Sequence, residues 1–468
     1  MNNSCRIAIL ILASLLTTLG HSQTVKQVLS FSDAFASGGG LATPAQGRDG
    51  RLYVTTNGQG SNQNPDGTVF RIDADGSSPT VLFSFSGTNG YQPRFGLTLG
   101  IDGDYYGTTL EGGVANSGVL FKVAPTGAYT SLYEFSGGAD GFYPAGSPVQ
   151  APDGNWYGAT ILGTGSSGTV YKYVPSTGTF TTILSLSADG SQGSGIFAPI
   201  IQASDNSLYG IAVQGGANNC GTIFRLNTAG VLLHVYSFPC GAGGFSPAGA
   251  LYQAADGSLY GTTQGGGNIT RTGPCAKVGC GTVFKVSHGA VSILYRFAGE
   301  PYDGRVPVAG LVQGTDGNLY AGTESGGSYN FGTLYQISTS GQYKLLYSFV
   351  SSVGVGADSA LMQHTNGKFY GITSALAPGA MYSLDMGLGP FIALVRYTGF
   401  VGRSVQILGQ GLKGATAVTV NGVPATSFKI VSDFYMTAVI PAGATTGPVV
   451  VTTSTGTLTS NHNLRIVK

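Results

Sequence analysis

Side chains able to act as acids, bases or nucleophiles are sparse in this chain of 468 residues, of which only 9% are charged. The five histidines (His21, His234, His288, His364 and His462) are scattered, and none stands beside a G-x-S-x-G or similar motif, so Ser-His-Asp catalysis is not expected. Of 21 acidic residues 17 are Asp, and six of these recur in one setting, Asp-x-x-x-Tyr, at Asp49, Asp102, Asp153, Asp205, Asp256 and Asp316; Asn366 takes the place in a seventh copy. Gly usually follows the acid. Asp-Gly favours a tight hairpin, because Asp bonds its own backbone and Gly accepts positive φ, so these acids read as turn residues rather than ligands. Asp73-Ala-Asp75-Gly76 has the start of a calcium loop but lacks the remaining ligands and the closing Glu, and it reads as a turn too. A net charge of +1 without a basic patch gives no footprint for nucleic acid.

The elements that must position these residues come from the spacing. The seven Asp/Asn-x-x-x-Tyr landmarks lie 53, 51, 52, 51, 60 and 50 residues apart, a fixed period that marks a repeat architecture. Each is followed by a Gly-led apolar run closing on an aromatic, at Phe70, Phe121, Tyr171, Phe224, Phe284, Tyr335 and Tyr382. Next comes an apolar-apolar-x-Phe/Leu run, such as Leu82–Phe85 or Leu346–Phe349, and a short apolar run precedes each Asp. All are short runs rich in β-branched and aromatic residues, bounded by turn formers, with no sustained helical period. Four strands per unit, here a to d, make one blade of a β-propeller. Seven a-b-c sets are present, but only six d strands lie between them. A seventh d-like run, Val28–Phe31, stands at the front, and it is expected to pair with the last c strand and close a seven-bladed ring over residues 24–387.

Residues 1–23 carry Arg6 and an apolar run, Ile7–Leu19, too short to span a bilayer, so they read as a signal peptide and place the protein outside the cell or at its surface, with no membrane span in the mature chain. Four cysteines then remain. In an exported chain two disulfides are expected. Cys220 begins a c strand and Cys240 follows the d strand of the same unit, so these two fit a pair, which leaves Cys275 with Cys280 in the inserted loop of the 60-residue interval. A zinc site is the alternative, but paired C-x2-C spacing is missing. From about residue 388 to 468 the period stops. Seven or so short β runs with Gly and Asn-Gly turns suggest a small β-sandwich.

The recurring unit DG-x-LYGTT…GG…GTVF-[KR]…LYSF…G-x-DG-[FY]-x-P-AG, over roughly residues 25–385, resembles the GloVer (Gloeo_Verruco) tandem repeat of exported bacterial proteins. The resemblance implies export and a propeller-like array, and no reaction. The C-terminal segment, through Thr398-Gly399, Gly414-Ala415-Thr416, Asn421-Gly422, Ser432-Asp433 and Pro441, looks like an IPT/TIG immunoglobulin-like domain, which implies a spacer or binding module.

In a propeller the d–a and b–c connections share one face. Here they are longer and more varied than the a–b turns, and variable loops on a rigid scaffold are where binding sits. They carry Tyr91, Arg94, Phe142, Tyr143, Phe245, Tyr302 and Arg305, the residues expected to contact a ligand, along with Tyr329, Asp140, Asp303, Glu111 and Glu324. Aromatics with a few charged groups suit a carbohydrate or a surface protein. Capping the blade ends is the plainer role for the aromatics. Glu111 and Glu324 occupy matching positions after strand b in the second and sixth units; nearly opposite across a pore, they would be farther apart than the roughly 10 Å that glycosidase chemistry allows. The expectation is a non-catalytic binding or interaction protein without a cofactor or metal. The alternatives are a carbohydrate-active enzyme using loop-face carboxylates and a purely structural surface protein.

Overall fold

A computed structural model of the chain describes residues 23–31, 42–58, 66–165, 167–270, 272–301, 303–373 and 379–467. The signal-peptide reading, except for Gln23, and the expected contact residue Tyr302 lie outside the described residues. The fold is all-β; helix is limited to two single 3-10 turns, Gly241–Gly243 and Leu412–Gly414, among the described residues. No helix of the described residues is long and apolar enough to cross a membrane.

Between Thr24 and Asp385 the described residues form seven four-stranded antiparallel sheets. In the third, Phe142–Gln150, Trp156–Leu162, Thr169–Val174 and Thr179–Ser185 follow one another as a, b, c and d. Each a–b turn is built by its Asp or Asn. Asp256 accepts from the Ser258 N–H at 2.9 Å and from the Tyr260 hydroxyl at 2.8 Å, and Lys285 of strand c reaches it at 2.8 Å. The same Tyr-to-Asp bond occurs at Tyr53, Tyr106, Tyr157, Tyr209 and Tyr320, and in the seventh unit the Asn366 amide donates to Tyr370 instead. Between b and c, buried threonine hydroxyls meet across the pair: Thr56 with Thr68 at 2.9 Å, Thr263 with Thr282 at 2.7 Å and Thr323 with Thr333 at 2.9 Å.

The c and d landmarks are explained by what they touch. The d strand ends in Phe or Leu, whose N–H donates to the carbonyl of the Gly that opens its own strand c, as from Phe85 to Gly67 and from Phe349 to Gly332. The ring of that Phe packs edge-on against the c-strand aromatic of the next sheet: Phe85 on Phe121, Phe135 on Tyr171, Phe238 on Phe284, Phe297 on Tyr335 and Phe349 on Tyr382, with centroids 5.1 to 5.5 Å apart. Such pairs add roughly 0.5–1.5 kcal/mol each beyond the area they bury.

The last sheet is completed by the front of the chain. Thr24–Ser30 lies antiparallel to Ala380–Asp385, with Thr24 opposite Asp385 and Ser30 opposite Ala380. Phe31 then donates to Gly379 and sets its ring 6.4 Å from Phe70 of the first sheet, repeating the contact made between the other sheets. One core cluster joins Phe31, Leu52, Val54 and Phe70 to Tyr370, Ile372 and Met381, so the last sheet packs on the first. A glutamine at the end of strand a strengthens the same contacts. Gln46 bonds Thr365 through both amide atoms, and Gln150, Gln253, Gln313 and Gln363 each accept a backbone N–H from the a–b turn of the preceding sheet.

After Phe391 two further four-stranded sheets enclose one core, with Ile407, Val418, Met436, Val449 and Val451 at its centre. This segment is docked on the a–b turn side of the ring. The Arg48 guanidinium lies 4.5 Å over the Tyr435 ring, Gln410 donates to Thr365 at 2.9 Å, and Leu408 and Tyr435 enter the core between the first and second sheets. Cys220 is bonded to Cys240 and Cys275 to Cys280.

Candidate functional site

Strand a is innermost in every unit, and the residue six places before the turn Asp/Asn is small or Pro throughout: Thr43, Gly96, Ser147, Pro199, Ala250, Gly310 and Ala360. All seven line one central cavity of about 550 Å³. The inner strands crowd there. A Cβ on Gly96 would fall 2.2 Å from the Thr43 carbonyl, and one on Gly249, already at φ 68°, would fall 2.5 Å from the Gly310 nitrogen. The wall is therefore backbone and small side chains, rigid and closely packed.

Longer polar and aromatic side chains enter mainly from two regions. Eight residues before the turn Asp/Asn stand Arg94, Phe197 and Asp358, and at or just past the end of strand b stand Gln214, Gln264 and Glu324. All six line the cavity. The Phe197 ring is 48% exposed, unusual for Phe in a chain that buries most of its aromatics. Among the described residues, neither the Arg94 guanidinium nor the Glu324 carboxylate has a hydrogen-bond or ion-pair partner. A cation, two carboxylates, two amides and an aromatic face thus converge on one concave space, the composition of a polar-ligand site. No group of three or more His, Cys, Asp or Glu able to hold a metal occurs among the described residues.

Of the residues expected to contact a ligand, Arg94 alone of the described ones lines this cavity. Tyr91, Phe142, Phe245 and Arg305 are one step outward, on the strand pairs that cap the sheets. Tyr91 exchanges both backbone hydrogen bonds with Glu111 at 2.8 and 3.0 Å. Phe142 is opposite Leu162, and the Phe245 ring lies on the bare face of Gly265. Arg305 is held by Ser325 Oγ at 3.2 Å and the Pro274 carbonyl at 3.4 Å. Tyr143 is in the left-handed region at φ 60°, as are Gln92, Ser246 and Val306 at the same place in other units, each giving its N–H to the loop before strand c. That turn leads the next residues inward and leaves the aromatics at the rim, half-buried.

Two further expectations change. Asp140 and Asp303 are engaged within their own loops. Asp140 accepts from Tyr133 at 2.9 Å and from Ser136, and Asp303 accepts from Tyr295 at 2.6 Å and from the Ala298 and Gly299 amides. Burial raises the pKa of Asp303. Glu111 and Glu324 are not equivalent. Glu111 pairs with Tyr91 as Ser325 pairs with Arg305, whereas the Glu324 N–H bonds Val306 as Leu110 bonds Gln92. Glu324 lines the cavity and Glu111 does not. The acidic partner in the cavity is Asp358. Asp73 is held by Arg51 at 2.7 Å and by Ser77, and Asp75 by Ser77, which makes the Asp73–Gly76 run a turn.

Phe197, Gln214, Gln264 and Asp358 were not legible as site residues by type. For Phe197 and Asp358 the signal is positional: both stand eight residues before the turn Asp/Asn, two before a position that is small or Pro throughout.

Solved structures share the propeller-like all-β architecture at low identity. A virginiamycin B lyase from Staphylococcus aureus aligns with a TM-score of 0.53 at 12% identity, over 78% of this chain and 99% of its own. A fungal alcohol oxidase of the AA5 family, in complex with copper, gives 0.54 at 13% identity over 93% and 98%. An oligogalacturonate lyase in complex with manganese gives 0.51 at 13% over 77% and 92%. At these identities the likeness is one of fold. No curated protein sequence matches the chain. A family model does, with successive matches over residues 16–195, 102–300 and 269–408: that of the Gloeobacter/Verrucomicrobia repeat.

Proposed function

The chain belongs to the Gloeobacter/Verrucomicrobia repeat family, and on that premise we propose that it is an exported, non-catalytic binding protein that takes a carbohydrate ligand in its central cavity. In this reading residues 24–387 are a seven-bladed propeller and residues 388–468 an IPT/TIG-like sandwich that backs it. Residues 1–23 are a signal peptide, and the protein acts at the cell surface or outside the cell. The seven sheets with their recurring Phe contacts support the blade count, and the two sheets around one core support the sandwich. The observation that carries the function is that the exposed Phe197 ring shares the cavity with the Arg94 guanidinium and the Glu324 carboxylate, neither of which has a partner among the described residues, on a wall of small residues. A sugar offers a CH face to an aromatic ring and hydroxyls to charged and amide groups.

The test is a glycan array on the secreted protein. Phe197→Ala and Arg94→Ala each weaken the hit at least ten-fold, while Phe142→Ala at the rim changes it little. The reading fails if no glycan binds, or if the rim variant abolishes binding and the cavity variants do not. A second reading, hydrolysis by a pair of acids, is favoured by Glu324 and Asp358 lining the same cavity from neighbouring sheets. Turnover that disappears in both Glu324→Gln and Asp358→Asn would establish it in place of simple binding.

A further inference from the structure

A second cavity, of about 560 Å³, opens on the opposite side of the ring, where the C-terminal segment meets the a-strand ends of the second to fifth sheets. Its charged lining has one sign: Arg396 and Arg465 face it from the C-terminal side together with His462, and no Asp or Glu lines it. Two of these basic groups are engaged. Arg465 donates to the Ser204 carbonyl, and His462 Nε2 shares a hydrogen bond of 2.9 Å with the Tyr252 hydroxyl. Arg396 is not: its Nε and one terminal nitrogen are buried without a hydrogen-bond partner. The acid whose field reaches it, Asp153, is already held by Tyr157 at 2.7 Å, Asn155 at 2.8 Å and Lys172 at 3.9 Å.

A guanidinium cannot shed its proton at accessible pH, so burying one without a carboxylate is costly unless something anionic arrives. Burial already lowers the pKa of Arg396. The planar fork matches an oxyanion in two-point contact. Tyr397, 48% exposed with its ring 4.3 Å from that of His462, offers a flat surface beside it. We propose that this cleft between the repeat ring and the C-terminal domain is a binding site for a small organic oxyanion, held by the Arg396 guanidinium and lying against Tyr397. The ligand would touch both parts of the chain at once and so fasten the C-terminal domain to the ring. This site is separate from the central cavity and does not rest on the function proposed for it.

The experiment uses the full secreted chain and three probes at constant ionic strength: glucuronate, inorganic sulfate and inorganic phosphate, with chloride as the control. Thermal shift and calorimetry read binding. The expected result is a saturable rise in Tm with at least one probe and not with chloride; which probe gives it tells carboxylate from sulfate or phosphate. Arg396→Met weakens that binding at least ten-fold, and without ligand its Tm equals or exceeds that of the parent, because an uncompensated charge has been removed. Tyr397→Ala weakens binding without touching the charge, and it serves as the second variant should Arg396→Met fold poorly. Arg94→Ala in the central cavity leaves it unchanged. Absence of saturable binding by all three probes, or equal binding in Arg396→Met and Tyr397→Ala, would overturn the proposal.

Discussion

His462 shows how much a single side chain owes to its surroundings. Burial between the ring and the C-terminal domain lowers its pKa from 6.5 to about 4, and burial lowers that of His364, bonded to the Gly50 carbonyl, as well. Both are neutral in the folded protein where the unfolded chain would be protonated. The unfolded state therefore binds more protons between these pKa values, and stability falls as pH drops from about 6.5 towards 4. For His462 the ceiling is about 3 kcal/mol, since each tenfold change in proton affinity between the folded and unfolded chain is worth about 1.4 kcal/mol. The expected outcome is a Tm that declines between pH 6.5 and 4, with a shallower decline in His462→Gln. An unchanged slope would contradict the burial of this ring. Asp256 contributes below that window. Burial raises its pKa, but Lys285 and Tyr260 outweigh it and hold the carboxyl below its usual range, so its share of stability is lost only as pH falls further.

Within an element, the repeat is enforced by backbone geometry more than by charge. In most sheets the c–d pair carries a register shift just before the c-strand aromatic, as between Val69 and Phe70 or Leu334 and Tyr335. One extra residue in strand d turns the following Phe onto the next sheet, so the spacing of the LYSF run is a bulge written into the sequence. The fourth unit departs, with its shift between Arg225 and Leu226, and it also carries a covalent tie. Cys220 and Cys240, 20 residues apart, join the start of strand c to the loop after strand d. Replacing both by Ser should cost about 3 kcal/mol by the chain-entropy argument, seen as a lower denaturation midpoint, while Cys275 and Cys280, 5 apart, close a shorter loop and matter less. Equal losses from the two pairs would count against loop closure as the source.

At the scale of the molecule, the decisive contact joins the two ends of the repeat region. Thr24–Ser30 supplies the outer strand of the last sheet, Phe31 packs on Phe70, and Gln46 reaches Thr365. Removing residues 24–31 leaves two sheet edges and an unmatched aromatic face, so calorimetry should show the ring melting at lower temperature as a whole, with lost cooperativity. A melting curve that kept its midpoint and width would sink the closure. The docked C-terminal segment adds further ties through Arg48, Thr365 and Tyr252, which makes it part of the scaffold in addition to any spacer role.

Much of this was determined by local chemistry. Asp-Gly turns, β-branched runs and a period near 50 act within a few residues of themselves, so units, strands, the strand that closes the ring and the cysteine pairs could be read from residue types. The Gln at the end of strand a stands in the sequence as plainly, but its partner is the backbone of the preceding sheet, some 50 residues away. The site belongs to the tertiary structure. Glu324 lines the cavity while Glu111, its counterpart after strand b, does not, and Phe197, Arg94 and Asp358 share one space only because the ring brings remote units to one axis. Arg396 is an ordinary surface-type residue until the C-terminal domain docks and buries it without a partner. Convergence of distant units and the burial that follows docking depend on long-range packing, which no stretch of sequence encodes by itself.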